Sequence, residues 1–408
     1  MLTITSPFDP IKIGPITLRN RFIKSGANEG MSRNGVPTKA LVKHHRDLAF
    51  GGVGMTTTAY FAVSEAGRTL RHQTWLRPAI LPDLRALADA VHEAGAAISA
   101  QITHGGSFTQ VPQKGAAMSA SGGVNRAGIM QGNFFQRAMT EADMEQVTRE
   151  FVEAAILCRA AGFDAVEIHM GHGYLLNQFI SPLSNRRKDR YGGSAENRVR
   201  FPAKVLVRVK EAVGKDLAVM AKINVADGVP GGATTEDGIV TARVLETAGA
   251  DLLVLSGGRN IESTWFMFGS PMNQAEFSKA MKGAPLARLM IKLASLNTPK
   301  DLQFREMYFL EYSRQIRAAV KMPLAYLGGV KSLDNAEEAL RDGFDCVVMA
   351  RALINDAGLI NKLRAGTVAR SPCTSCNGCI PYIYHPAGTW CVLNPPNDLA
   401  LNQIPASG

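Results

Sequence analysis

The stretch AGFDAVEIHMGHGY, residues 161–174, shows in one place the pattern from which the fold follows. It joins the end of an amphipathic segment, a glycine, a short apolar run at 165–169 and a polar turn rich in glycine. Glycine is common just after a helix because it adopts the left-handed conformation there without strain. The same punctuation precedes three further apolar runs, as AGA at 94–96, AGA at 248–250 and DGF at 342–344. This repetition indicates one fold in which helices and strands alternate.

Short apolar or β-branched runs of this kind predict eight parallel strands, and eight is the number that closes a barrel. The runs lie at 22–25, 53–58, 97–103, 165–169, 218–223, 252–256, 324–327 and 346–349. We therefore predict an α/β fold, a (β/α)8 TIM barrel. Thr140, before an acidic first turn, marks the start of one intervening helix. IKIGPITLRN at 11–20 predicts a β-hairpin that turns at Gly14-Pro15 and plugs the N-terminal end of the barrel.

One predicted connection is far longer than usual. From residue 257 to about 298 the chain runs without a recognisable helix, and such loops at the C-terminal face of a barrel usually carry function. Its aromatic segment at 265–268, Trp-Phe-Met-Phe, fits two interpretations equally well. The segment lines a substrate pocket, or it packs on the rim of the barrel.

Composition limits the class of protein. The 408 residues, of which 46% are hydrophobic, suffice for one large barrel. No apolar run reaches the roughly 18 residues that cross a bilayer, and the first residues do not resemble a signal peptide. We therefore expect a cytoplasmic protein that does not bind a membrane. The formal charge of +10 suits an anionic cofactor, an anionic substrate or nucleic acid, but the densest basic cluster, at 186–190, is short and favours a salt-bridged loop over nucleic-acid binding.

Cysteine usage points to a metal site. The chain has six cysteines, and Cys373, Cys376, Cys379 and Cys391 fall within nineteen residues. Without a secretory signal, such clustering indicates a metal or iron-sulfur site rather than disulfides. The other two, Cys158 and Cys346, lie in apolar runs and are interpreted as core residues.

In a barrel of this type the reactive groups stand where strands end. The fourth predicted strand ends with His169, His172 and Tyr174, which together offer several hydrogen-bond donors to one oxygen. The third contains Gln101, whose amide suits the edge of a planar ring. The fifth ends with Lys222, which can stabilise a reduced anionic ring, act as a Schiff-base nucleophile, or pair with a carboxylate; the sequence leaves these three open.

The last two predicted strands end in residues suited to a phosphate. Gly328 and Gly329 follow the seventh strand, and Ala350 and Arg351 follow the eighth. Backbone amides at such turns, with an arginine, form the phosphate site that many barrels place there. A phosphate site beside a ring site predicts a mononucleotide cofactor.

These motifs resemble the Old Yellow Enzyme family of NADH:flavin oxidoreductases. The resemblance is carried by EIHMGHGYLLNQFISPLSNRRKDRYGGSAENRVRF at 167–201, and extends through LRNRFIKSGAN at 18–28, GGVG at 51–54, AQITHGG at 100–106, ADLLVLSGG at 250–258 and LGGV at 327–330. Within the family the chain is most similar to the branch of 2,4-dienoyl-CoA reductase and trimethylamine dehydrogenase, because PCTSCNGC at 372–379 is followed by Cys391.

The resemblance implies FMN as the cofactor. Its contacts would be the main chain of Ser25, Gly26 and Ala27, the residues Ala59 and Gln101 at its polar edge, Lys222 beside its N1/O2 region, and Gly328, Gly329, Ala350 and Arg351 around its phosphate. Asn28 stands where many relatives have Thr or Cys near flavin N5, and Ala350 replaces a usual glycine.

The resemblance also implies the catalytic roles. His169 and His172 would hydrogen-bond the carbonyl or nitro oxygen of a small-molecule substrate, and Tyr174 would protonate the carbon next to the one that receives hydride from flavin N5. The implied activity is an ene-reductase, which uses NAD(P)H to reduce an activated C=C bond of an unsaturated carbonyl compound.

For the C-terminal cysteines the spacing C-x2-C-x2-C-x11-C favours a [4Fe-4S] cluster over zinc or idle thiols, because three closely spaced thiolates suit one face of such a cluster and the fourth ligand can be distant. We expect an FMN-binding barrel over residues 1–365 and a Cys-rich extension, 366–408, packed on it. Relatives with this motif continue into nucleotide-binding domains whereas this chain ends at Gly408, so we expect electrons to come from NAD(P)H at the FMN itself or from an external redox partner. A homo-oligomer is also expected.

Three other functions remain open at this point. An amine dehydrogenase or demethylase of the same branch would use the same cofactors and pass electrons outward. A barrel aldolase would use Lys222 as a Schiff base and be colourless. An electron-transfer subunit would hold flavin and cluster but turn over no alkene.

Overall fold

The structure is a computed structural model that describes residues 5–129, 132–280, 298–395 and 406–407. Its centre is a closed barrel of eight parallel strands that neighbour one another in chain order. Numbered by position in the barrel, the first to eighth barrel strands are Phe22–Lys24, Met55–Ala62, Ala97–Thr103, Ala165–Met170, Ala218–Asn224, Leu252–Ser256, Leu324–Leu327 and Cys346–Met349. The predicted (β/α)8 barrel is therefore confirmed, with every predicted strand present.

Helices surround the barrel as the alternating pattern predicts. They are Lys39–Phe50, Leu81–Glu93, Glu141–Ala160, Leu175–Ile180, Ala195–Val213, Thr235–Thr247, Leu310–Ala319, Leu333–Arg341, Arg351–Asn355 and Leu359–Arg364. Thr140 forms a reciprocal capping box with Asp143. The glycines of the repeated punctuation are all left-handed, with φ of 75° at Gly95, 87° at Gly162, 83° at Gly249 and 87° at Gly343. Within the described part of the chain, none of the helices has the length and hydrophobicity needed to cross a membrane.

The N-terminal hairpin closes one end of the barrel, as predicted. Ile11–Ile13 pairs antiparallel with Ile16–Leu18 across the turn at Gly14. Ile13 and Leu18 are fully buried in a cluster with the inward residues at the start of the barrel strands, among them Ala218 and Leu252. The hairpin thereby fills the bottom of the barrel with side chains and leaves only the C-terminal end for a ligand.

The long connection after the sixth barrel strand differs from its prediction. It contains two short helices, Thr264–Phe268 and Gln274–Ala280, and their brevity explains why no helix was recognised. The first has no side-chain cap, whereas Asn273 Oδ1 caps the second by accepting from the backbone N–H of Glu276 at 3.1 Å. Phe266 packs against Phe309, with ring centroids 5.1 Å apart, which supports packing on the rim. The part of this connection at 281–297 lies outside the described residues.

Several smaller predictions also hold. Cys158 and Cys346 are fully buried core residues, and burial raises the pKa of the Cys346 thiol to about 12. In the basic loop, Arg187 pairs with Asp189 at 2.5 Å and Arg190 with Glu141 at 2.6 Å. The cluster is therefore a salt-bridged loop.

Candidate active site

A buried cluster of polar side chains occupies the centre of the barrel. Parallel pairing places Glu167 opposite Gln101 and His169 opposite Lys222. Lys222 Nζ lies 3.0 Å from Glu167 Oε1, and Gln101 Nε2 donates to the same oxygen at 2.5 Å. All three side chains are almost fully buried. Of the three interpretations left open for Lys222, pairing with a carboxylate is thus observed, and Glu167 is a site residue that the sequence analysis left unassigned.

The loop after the first barrel strand lies directly on this cluster. Lys222 Nζ donates to Ser25 Oγ and to the carbonyl oxygen of Gly26, both at 3.3 Å. A Cβ atom at Gly26 would lie 2.6 Å from Gln101 Nε2, so any larger residue there would displace the Gln101 side chain. Residues at the ends of the first, third and fifth barrel strands are therefore brought together around Lys222.

A second buried ion pair, absent from the sequence analysis, fixes the same loop. Lys24 Nζ pairs with Glu29 Oε1 and also donates to Thr57 O at 3.1 Å. Glu29 Oε2 accepts from the backbone N–H of Ala59 at 3.1 Å, so Asn28 and Ala59 are held side by side. The sequence signal that could have revealed this ion pair is Lys24 itself, which lies inside an apolar strand. A lysine in such a place is rarely buried without a charged partner.

The two predicted histidines meet above the cluster. The ring centroids of His169 and His172 are 4.8 Å apart and nearly perpendicular. His172 adopts the left-handed conformation with φ of 61°. Its Nε2 lies 2.8 Å from Ser256 Oγ, and its backbone N–H donates to Asn224 Oδ1 at 3.2 Å. These bonds from the fifth and sixth barrel strands hold the strained turn.

Burial keeps both rings neutral. It lowers the pKa of His169 well below the usual value, with smaller contributions from His172 and Lys222, and lowers the pKa of His172 to about 3. His169 Nδ1 accepts from the backbone N–H of Gly171 at 3.2 Å, which leaves the ring proton on Nε2. Each ring is therefore an uncharged N–H donor at neutral pH.

Tyr174 joins the histidines and extends a chain of hydroxyls. Its ring centroid lies 4.7 Å from that of His169, and its hydroxyl donates to Tyr60 Oη at 2.9 Å. Tyr60 Oη in turn lies 2.9 Å from Thr69 Oγ1. Burial raises the pKa of Tyr174 well above the usual value, so the hydroxyl keeps its proton. Tyr60 was not predicted as a site residue because the second strand was predicted to end at 58, whereas it runs to Ala62.

The seventh and eighth barrel strands end around a small cavity of about 40 Å³, lined by Gly329, Ala350 and Arg351 among others. Gly328 and Gly329 have φ of 152° and 83°. Arg351 Nη1 donates to Asn377 Oδ1 at 2.7 Å and Nη2 to Phe268 O at 2.8 Å. The guanidinium thus also ties the connection after the sixth barrel strand to the cysteine segment, a structural role that no local sequence signal revealed.

A larger cavity of about 670 Å³ opens beside the cluster, and we call it the vestibule. Asn28, Ala59 and Tyr60 line it next to the barrel, and Arg33, Arg71 and His72 also line it. Its volume is that of a typical site for a small ligand.

The polar cluster and the small cavity fit FMN. The Gly26 main chain lies against Gln101 and Lys222 without side-chain bulk, which gives a flat ring donors, an acceptor and a cation at one edge. The cavity at Gly329 and Ala350 offers main-chain groups and space for a phosphate.

The four clustered cysteines lie on one segment that packs on the barrel. Ser371 N donates to Lys331 O at 2.7 Å, and Asn377 Nδ2 donates to Ser270 Oγ at 2.9 Å. Burial raises the pKa of Cys379 to about 12, Arg351 opposes that rise, and Cys373, Cys391 and Cys376 add to it. The four thiols are therefore close enough for their charges to interact. In the described ranges, no three His, Cys, Asp or Glu side chains have the spacing of an assembled metal site.

Comparison with known proteins supports the geometry. The chain is 38% identical to the 4,4'-dithiodibutanoate disulfide reductase of Rhodococcus erythropolis over the whole of both chains. It is 30% identical to the metal reductase of Desulforamulus reducens over 95% of this chain and 53% of that protein, so it spans about half the length of that relative. Its fold matches 2-naphthoyl-CoA reductase in complex with 2-naphthoyl-CoA at a TM-score of 0.78 and 24% identity, over 98% of this chain and 57% of that one.

The family itself follows from a direct match. A sequence profile of the NADH:flavin oxidoreductase / NADH oxidase family matches residues 6–264, which include the first six barrel strands and the residues clustered around Lys222. Together with the closed eight-stranded barrel and the extent of the likeness to the Rhodococcus reductase, this match shows that the chain belongs to that family and is an FMN oxidoreductase.

Proposed function

We propose that this enzyme uses NAD(P)H to reduce the activated C=C bond of a small unsaturated carbonyl compound. The observation that carries the proposal is the convergence of two neutral imidazoles, His169 and His172, with the protonated hydroxyl of Tyr174 beside the Lys222 cluster. The sum of the reaction is acceptor plus NAD(P)H plus H⁺, giving the reduced acceptor and NAD(P)⁺.

When bound, FMN supplies a carrier that accepts a hydride from nicotinamide and passes it to an acceptor. The N–H groups of His169 and His172 would orient the acceptor's carbonyl oxygen and stabilise the negative charge that develops on it. Tyr174 would give its proton to the carbon and recover it from solvent through Tyr60, its partner at 2.9 Å. Lys222 would place a positive charge next to the reduced ring.

A second acceptor, a disulfide, is favoured by one observation. The Rhodococcus relative named a disulfide reductase matches from end to end of both chains, unlike the longer metal reductase. Here the hydride equivalent would cleave the S–S bond, and the acceptor would leave as two thiols. The same uncharged N–H and O–H donors would stabilise the departing thiolate and supply the proton that it needs.

The purified protein is expected to show a flavin spectrum that bleaches under anaerobic NADH or NADPH and recovers when an acceptor is added. An enone and a small aliphatic disulfide are the two acceptors to compare, with loss of enone absorbance and release of free thiol as the separate signals. Bleaching without recovery by either acceptor would contradict the reductase proposal and support an electron-transfer subunit. A colourless protein that takes up no FMN would contradict the site assignment.

For the cysteine segment we propose a [4Fe-4S] cluster ligated by Cys373, Cys376, Cys379 and Cys391. Support comes from their spacing in the sequence and from the electrostatic influence of the other three thiols on Cys379. The cluster would serve as an electron store next to the barrel or as a brace for the segment that contacts Arg351.

Anaerobically purified protein is expected to contain about four iron and four acid-labile sulfide atoms per chain. Cys376→Ser, at the exposed thiol, should lower both contents, whereas Cys158→Ala in the core should not change them. Zinc without sulfide, or a metal-free protein with four reactive thiols, would contradict the proposal.

A further inference from the structure

The vestibule has an uncompensated positive charge. The described residues that line it include Arg33, Arg71 and His72, and the described lining contains no aspartate or glutamate. Neither Arg33 nor Arg71 has a carboxylate within ion-pair distance in the described part of the chain. Arg68, which stands next to them, is instead paired with Glu65 at 3.1 Å.

The two arginines have capacity left for a ligand. Arg33 uses Nη2 to donate to Pro386 O at 3.1 Å, while its buried Nε has no hydrogen-bond partner among the described residues. The Arg71 side chain is exposed. Its backbone carbonyl accepts a hydrogen bond from Arg68 Nη1 at 2.7 Å, which fixes the position of the backbone from which the side chain extends. Burial is the largest cause that lowers the pKa of His72, and Arg33, Arg68 and Arg71 lower it further, so the three cations converge on one place.

An unpaired guanidinium that faces a cavity attracts an anion, and its planar fork suits the two oxygens of a carboxylate. The net charge of +10 adds a long-range field of the same sign. Because Tyr60 lines the vestibule and also bonds to Tyr174, a ligand that fills this space reaches from the arginines to the proton donor.

We propose that Arg33 and Arg71 select substrates that carry a carboxylate several bonds away from the group that is reduced. The inference rests on the proposed reductase function and names the substrate class of the same site. The pyrophosphate of NAD(P)H shares the chemistry of an anionic oxygen group, so the test separates the two sources.

The test compares an acid with its methyl ester, either an enone with a distal carboxylate or a dicarboxylic disulfide. Arg71→Gln is expected to lower kcat/KM for the acid about tenfold or more, chiefly through KM, and to change the ester less than twofold. Arg33→Gln should act in the same direction. Arg149→Gln, an exposed arginine on the helix Glu141–Ala160, makes the same charge change away from the vestibule and should leave both substrates unchanged.

Two further measurements separate the possible failures. Flavin reduction by NADH without acceptor should be as fast in Arg71→Gln as in the wild type; a loss confined to this step would overturn the inference and assign the arginines to the nicotinamide cofactor. Calorimetric titration with 4-phenylbutanoate and its amide gives a readout without turnover. If the wild type binds the acid and the amide equally, the inference is overturned. If the wild type reduces no acceptor but still binds the acid more tightly than the amide, only the proposed reductase function is contradicted.

Discussion

Tyr174→Phe is expected to slow acceptor reduction by about 10²-fold or more and to leave reduction of the flavin by NADH unchanged. The substitution keeps the ring that packs 4.7 Å from His169 and removes only the hydroxyl. Burial raises the pKa of that hydroxyl, so it holds a proton that it can give to carbon. Stopped-flow measurement of the two half-reactions separates the steps.

Two control variants make this result interpretable. Tyr312→Phe removes a hydroxyl from a tyrosine that packs on Phe266 at the outside of the barrel, and it should leave both half-reactions intact. Tyr60→Phe should give a smaller loss than Tyr174→Phe. Tyr60 accepts a hydrogen bond from Tyr174 and is in turn hydrogen-bonded to Thr69, but in the proposed mechanism it does not itself protonate the acceptor. Wild-type acceptor reduction in Tyr174→Phe would remove this tyrosine from the mechanism.

Acid is expected to destabilise the fold steeply between about pH 6.5 and pH 4. Burial lowers the pKa of His104 to about 4, and it also lowers the pKa values of His45 and His169. All three are almost fully buried. In this range the unfolded chain protonates these histidines while the folded chain does not, so the unfolded state binds more protons and stability falls as pH falls.

The dependence of the free energy of unfolding on pH can be expressed per buried histidine. Each such histidine contributes about 1.4 kcal/mol per pH unit to the free energy of unfolding, and these three together contribute about 4 kcal/mol per unit near pH 5. His172, whose pKa burial lowers to about 3, adds to the same slope. Guanidinium unfolding at a series of pH values measures it. His104→Gln should reduce the slope by one histidine's share.

The matched control is His92, which is 40% exposed and pairs with Asp164 at 2.9 Å. Asp164 raises the pKa of His92, so its contribution is present at low pH and is lost as pH rises. His92→Gln should therefore not flatten the acid slope. A flat profile between pH 6.5 and 4.5 in the wild type would contradict the burial of neutral histidines.

The sequence by itself determined the architecture of this protein. Glycines at 95, 162, 249 and 343 mark where helices stop, and apolar runs of four to seven residues mark the strands. These signals are local, because backbone conformation at a glycine and burial along a strand depend on neighbours in the chain. The placement of His169, His172 and Tyr174 at one strand end followed from the same local pattern.

Only the tertiary structure decided what those residues touch. The pairing of Lys222 with Glu167, of Lys24 with Glu29 and of Tyr174 with Tyr60 joins different barrel strands and the loops that follow them. The vestibule likewise joins Arg33 and Arg71 to Tyr60. Such contacts depend on the register of strands around a closed barrel and on loops that fold back over it. No local periodicity records that register, because it is set by how distant segments pack around a shared core.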